Sequence, residues 1–303
     1  MRISSTQYHR TMNSTMQSAS SRLEEIIQKM SNGQKLLVPS DDPVTHVRVS
    51  RLTREEAALT QYRDNIGALK VRLQQNESSL TGMNNDLLEA RDLMVWALDG
   101  ANTSEDVAAM STSLTALAES LFYSANSKDQ EGRYVFSGTV TGSPAVTYDA
   151  MAPVGSRYSF TGNIGKQNVV VGNGVTQSAN VTVEEVANML NLLEGTVSAL
   201  QTPGVDVNDP VTRPQLTATL QGIDVTMGSL SSKVASIGGL QNILDAMDSN
   251  HANVSLSNKQ ALIDLGQLDY GDAAVKLNGY TTALQATQKA YAQVSKLSLF
   301  DIL

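Results

Sequence analysis

The chain has 303 residues, 41% hydrophobic and 17% charged, a length that supports more than one core and a composition unlike that of a highly charged disordered chain. A formal net charge of −8 argues against broad nucleic-acid binding, which needs a concentrated basic surface to displace counterions. The absence of cysteine excludes disulfides, thiolate catalysis and cysteine metal sites; no apolar run approaches the roughly 20 residues that span a bilayer, and Met1-Arg2-Ile3-Ser4-Ser5-Thr6-Gln7 lacks the apolar core of a secretory signal.

The first predicted helix runs from about Thr6 to Met30, with Tyr8, Met12, Met16, Ala19, Leu23, Ile26 and Met30 forming one apolar stripe at steps of three and four. Gly33 is placed to end it in the left-handed conformation. Leu36-Leu37-Val38-Pro39 reads as extended, because a residue before proline is pushed out of the α region. In Ser40-Asp41-Asp42-Pro43 the Asp42 carboxylate can accept from the open amides of a first turn and Pro43 suits the first helical position, so a second helix starts here.

That helix carries the longest seam in the chain, formed by Leu59, Tyr62, Ile66, Leu69, Leu73, Asn76, Leu80, Met83, Leu87, Ala90, Met94 and Ala97, a reach of roughly 60 Å at 1.5 Å per residue. Asn76 interrupts it, and two readings stand: a buried residue that fixes register, or a residue near a solvated edge. Asp99-Gly100-Ala101-Asn102 ends the rod, Asn102 with Glu105 offers a capping box, and Val107, Met110, Leu114, Leu117 and Leu121 make the stripe of a returning helix that stops near Asn126 to Gly132.

From Arg133 the period changes to two. Arg133–Gly138, Val146–Tyr148, Arg157–Gly162 and Asn168–Gly172 are short aromatic and β-branched runs bounded by turn residues, with Gly172-Asn173-Gly174 as a hairpin turn. Helix resumes at Thr182, which with Glu185 forms a predicted capping box. The prolines at 203, 210 and 214 mark a loop; a second rod follows on Leu216, Leu220, Ile223, Met227, Leu230, Val234 and Ile237. A break at 265–271 precedes the last stripe, Leu277, Tyr280, Leu284, Tyr291 and Val294.

The expected fold is mainly α with a small inserted antiparallel β domain. Long antiparallel helical rods come from the two halves of the chain, divided as an N-terminal assembly helix (1–40), rod (41–132), β domain (133–181), rod (182–265) and C-terminal assembly helix (266–303). Terminal segments usually fray, so an apolar stripe running to within a few residues of each end points to assembly.

Chemistry is poorly supported. His9, His46 and His251 are dispersed and match no metal pattern, the Asp41-Asp42 pair is better explained by capping than by acid–base work, Gly172-Asn173-Gly174 lacks the context of a phosphate loop, and no Gly-x-Ser-x-Gly occurs. No catalytic residue, cofactor or metal is assigned.

Five stretches carry a family resemblance: Met1-Arg2-Ile3-Ser4, Leu37–Pro43, Gln61–Ile66, Glu131–Gly138 and Gln293–Leu303. They resemble the bacterial flagellin family, and within it the hook-associated proteins of the hook–filament junction. The resemblance implies a non-enzymatic structural molecule of the flagellum, extracellular and without a cleaved signal peptide. It implies export in unfolded form through the flagellar type III apparatus, another hook-associated protein on the hook side, flagellin on the filament side, a ring-like layer of its own copies, and an export chaperone on the C-terminal segment. It also implies terminal helices that order on assembly. A flagellin filament subunit, or a secreted coiled-coil effector, is the competing reading.

Overall fold

The computed structural model describes residues 2–300, with side chains over residues 6–293; Val294 of the predicted C-terminal stripe and the quoted ends of the chain fall outside the described side chains. Among the described residues six helices and four strands follow in the order α1 (Arg2–Asn32), α2 (Pro43–Ala97), α3 (Ser104–Ala125), β1 (Val146–Tyr148), β2 (Tyr158–Phe160), β3 (Asn168–Gly172), β4 (Val175–Ser178), α4 (Glu184–Leu200), α5 (Thr212–Gly266) and α6 (Tyr270–Phe300). The fold is mainly α with a small β insertion between helices, as the change of period in the sequence implies. It divides into a terminal unit, Met1–Leu59 with Ala252–Leu303, and a central unit, Thr60–His251; α2 and α5 contribute to both.

In the central unit α2 and α5 run antiparallel. Arg63 meets Asp248 at 2.8 Å, Lys70 pairs with Asp245, the Asn84 amide donates to Ser231 at 3.0 Å, and Arg91 meets Asp224 at 2.7 Å. The Ser120 hydroxyl donates to Asp86 at 2.8 Å, which sets α3 against α2, and the buried hydroxyls of Thr196 and Thr219 share a 2.7 Å hydrogen bond that sets α4 against α5. All four helices feed one core. Ile66, Leu73, Leu80, Met83, Leu87 and Met94 of the α2 seam are no more than 1% exposed, because a stripe kept at steps of three and four stays on the face turned to the other helices.

Asn76 lies in this core at 0% exposure, and among the described residues neither polar atom of its side-chain amide has a hydrogen-bond partner. The structure thus decides for the buried reading. A buried, unpaired amide forfeits about 1–3 kcal/mol of solvation. Asn76→Leu is therefore expected to raise the unfolding midpoint of the central unit in a thermal melt; a lowered midpoint would mean that the amide is satisfied and structural.

The insertion holds two separate antiparallel hairpins. β1 pairs with β2 through Val146↔Phe160 to Tyr148↔Tyr158, and β3 with β4 through Asn168↔Ser178 to Gly172↔Val175, with a bulge between Val170 and Gly172. Two-stranded hairpins are marginal alone, and helix-bundle side chains hold these. Asn126 accepts from the Val146 N–H and donates to its carbonyl (3.0 and 2.8 Å), Asn191 does the same for Tyr158 (2.9 and 2.7 Å), and Asn65 donates to the Val170 carbonyl (2.8 Å). Side-chain amides thus satisfy backbone groups that would otherwise be open sheet edge.

Three local expectations are corrected. Arg133–Gly138 is not a strand: Tyr134 makes a single bridge to Lys128, and the segment turns inward so that Val135, Phe136 and Ser137 are buried, with Gly138 at φ +75° against Asn163. The cap of α3 is Thr103 with Asp106, one residue beyond the expected Asn102–Glu105 pair; the Asn102 amide instead donates to the carbonyls of Trp96 and Asp99. At α4 the expected Thr182–Glu185 box is absent, because both Glu185 oxygens lie 2.7 Å from Lys233 Nζ on α5 and Thr182 turns to Glu184.

Candidate assembly interface

The terminal unit brings the two predicted end stripes together. α1 and α6 pack against each other antiparallel: the His9 and Tyr291 rings meet edge to face at 5.5 Å, and the Tyr270 hydroxyl donates to the Met30 carbonyl at 3.2 Å. That register brings Leu284 level with Met16.

The entry to each helix is pinned. Gly33, at φ +68°, turns the chain out of α1, and a Cβ there would stand 3.1 Å from the Tyr270 hydroxyl. Its carbonyl accepts from Leu268 N–H at 3.0 Å while Lys35 N–H donates to the Gly266 carbonyl at 2.9 Å, so the connection after α1 and the one before α6 are joined by backbone hydrogen bonds. Asp42 Oδ1 accepts from Thr45 N–H at 3.1 Å and its Oδ2 from the Thr45 hydroxyl at 2.6 Å, and α2 starts at Pro43. Asp41 accepts from Leu37 N–H at 3.1 Å and stands 3.5 Å from Lys29, which is itself 2.6 Å from Glu25.

These bonds shape the electrostatics. The Leu37 amide chiefly, helped by Lys29, holds the Asp41 carboxyl below its ordinary range; the Thr45 hydroxyl and amide do the same for Asp42, and Glu25 raises Lys29. For a carboxyl depressed by folding, the stabilisation is present above its ordinary pKa and is lost as the pH falls through the lower folded value. Helix content of the terminal unit is therefore expected to fall on acidification below the ordinary carboxylate range. Asp42→Asn, which can cap without titrating, should shift that loss in a circular-dichroism titration, and identical acid profiles would contradict the assignment.

Placement of the individual stripe residues differs from that of a closed core. Ile26 is buried at 7% exposure, whereas Met12, Met16, Ala19, Leu23 and Met30 on α1 and Leu277, Tyr280, Leu284 and Tyr291 on α6 are half-buried. Tyr8 is exposed at 37%, and the ring facing α6 at that level is His9. Sequence reading missed His9, Ala273 and Tyr270. His9 lies three residues before Met12, and the fully buried Ala273 lies four before Leu277, so the spacing signal for both was present but carried by a polar ring and a small side chain. Among the described residues no cluster of His, Asp and Glu could hold a metal and no helix is long and apolar enough to cross a membrane.

What this arrangement offers is a two-helix pair with unsaturated apolar stripes. Comparison with known proteins gives it a context. Residues 3–141 match the family model of the bacterial flagellin N-terminal helical region. The chain is 27% identical over 290 residues to flagellar hook-associated protein 3 of Escherichia coli, spanning 91% of each, and 25% identical over 322 residues to the protein of that name from Salmonella typhimurium, spanning 100% of this chain and 99% of that one. A solved chain from Vibrio parahaemolyticus, described as a flagellar hook-associated protein, is similar at 31% identity and a TM-score of 0.67, over 75% of this chain and all of that one.

Proposed function

Because the chain belongs to the flagellar hook-associated protein 3 family, we propose that it is a non-enzymatic structural adaptor of the bacterial flagellum, joining the hook, through another hook-associated protein, to the flagellin filament. One observation carries the mechanism: the α2 seam of the central unit is closed from Ile66 to Ala97, while all but Ile26 of the described stripe residues on α1 and α6 are half-buried or exposed. Helices depend on packing an apolar face, so a two-helix pair with open stripes is marginal alone and gains most of its stability when neighbouring subunits cover it. Ordering of the ends is then coupled to assembly.

In this reading the stripe residues Tyr8 to Met30 and Leu277 to Val294 are the assembly seam, and copies of the chain form a ring-like layer. The protein is exported unfolded by the flagellar type III apparatus, with a chaperone holding the C-terminal segment, and it works outside the cell at the hook–filament junction. Deleting the gene tests the role. Cells should keep hooks, lack filaments and release flagellin monomers into the medium; filaments persisting in the deletion strain would sink the adaptor reading and favour a filament subunit.

A further inference from the structure

Helix α2 carries unpartnered apolar side chains at both of its ends, and the charges around them are opposite. In its first turns, part of the terminal unit, Val44 and Val47 are 66% and 65% exposed, and Arg48 and Arg51 share their face at helical spacing. Between the Asp41-Asp42 pair before the helix and Glu55-Glu56, residues 43–54 hold three arginines and no carboxylate. In its last turns, part of the central unit, Leu88, Val95 and Trp96 are 47%, 50% and 55% exposed, with Asp92 and Asp99 on the same stripe and Glu89 beside it. Residues 86–99 hold four carboxylates and one arginine, Arg91, which is taken up by Asp224. Among the described residues neither Arg48, Arg51, Glu89 nor Asp92 forms an ion pair.

The polarity has no account within the helix. Asp42 caps the start of α2, but within the helix the first turn has no acid and the last no base, so the helix dipole does not explain where these charges stand. Nor is solubility a reason to expose Trp96, the one tryptophan of the chain, beside Val95 and Leu88. Aromatic and apolar centres with a charged rim are the anatomy of an interface.

We propose that α2 carries a heterologous, head-to-tail interface: the basic valine stripe at its start docks on the acidic leucine–valine–tryptophan stripe at its end in a second copy of the chain. The same chain supplies both halves, which is what singles out a second copy as the occupant. Taken head to tail, each contact leaves one basic and one acidic patch of the pair free, so it is heterologous and propagates from copy to copy; an antiparallel pair using both patches at once would close as a dimer and give no ladder. The charges steer and orient the encounter, which makes it sensitive to salt. This contact is separate from the α1–α6 seam.

The chain has no cysteine, so introduced thiols are unique. The full-length Val47→Cys/Val95→Cys protein, concentrated at low salt and treated with a short bis-maleimide, is expected to give a ladder of covalent oligomers that fades as salt is raised; Val47→Cys alone should stay monomeric. In the two-cysteine background Arg48→Glu/Arg51→Glu and Glu89→Lys/Asp92→Lys should each lower cross-linking by about tenfold or more, since like charges then face each other. Mixing the two charge-reversed proteins should restore it. Leu284→Asp in the same background should leave the ladder unchanged, which separates this contact from the assembly seam. Absence of a ladder, a ladder that survives both reversals, failure of the mixture to recover it, loss of the ladder with Leu284→Asp, or equal dimer formation by Val47→Cys alone would overturn the proposal.

Discussion

A chain carrying Leu284→Asp is expected to fail in assembly while its central unit melts as the parent does. Leu284 sits half-buried on the α6 stripe, level with Met16 of α1. In the proposed assembly this position is covered by further subunits, and covering it would take an ionised carboxylate out of water without a partner, a cost on the order of several kcal/mol per ion. Each copy in the layer would bear that cost, so the variant should not restore motility to a deletion strain. The central unit, residues 60–251, has its own closed core and should keep its thermal midpoint. A matching loss of central-unit stability would show that the seam belongs to the folded monomer, not to the assembly.

The opposite partition is expected for Phe136→Ala. Phe136 follows α3 and is 0% exposed, the bulkiest of the fully buried side chains, in the same cluster as Val146 of β1, Val171 of β3 and Leu190 of α4. Truncating a buried phenylalanine removes its transfer free energy and leaves a cavity, together about 3–5 kcal/mol. For a unit of this size that is a fall in melting temperature of roughly 10 °C. Because the residue ties the insertion to the bundle, the hairpins should loosen first, visible as faster amide exchange at β1 and β3 than in the α2 seam. A loss below about 1 kcal/mol in urea unfolding would show that the site collapses around the cavity and that Phe136 is not the anchor.

Much of the architecture is legible in residue spacing alone, and the reasons differ along the chain. The α2 seam is a long run of threes and fours, and helical geometry translates it into one buried face with little help from the rest of the molecule. Asp42-Pro43 is equally local: cap and first helical residue are adjacent, so their geometry needs no tertiary partner. The misreadings occur where a distant residue competes. Glu185 satisfies a capping pattern, but Lys233 on α5 binds both of its oxygens. Arg133–Gly138 has strand-like side chains, but the core takes Val135 and Phe136 and the backbone turns to deliver them. The β4 strand, Val175–Ser178, has too little apolar character to stand out and exists because the turn at Gly174 returns it along β3.

The candidate interface is legible in part for the same reason. Both stripes are written in sequence at helical spacing, yet spacing cannot say which helix meets which, nor that His9 and not Tyr8 faces Tyr291, since each stands at a permitted step from Met12. Exposure adds what spacing lacks: it separates a stripe already covered from one still open, and that contrast between α2 and the α1–α6 pair underlies the functional reading.

Limited proteolysis of the purified, dilute full-length protein tests the coupling of end-helix order to assembly most directly. If the α1–α6 pair is marginal until neighbours cover it, cleavage should rapidly remove roughly the first 40 and last 40 residues and leave a resistant fragment containing the β insertion, because unpaired segments are cut first. Protection of both ends in the dilute monomer, at the same level as the central unit, would contradict assembly-coupled folding of the terminal seam.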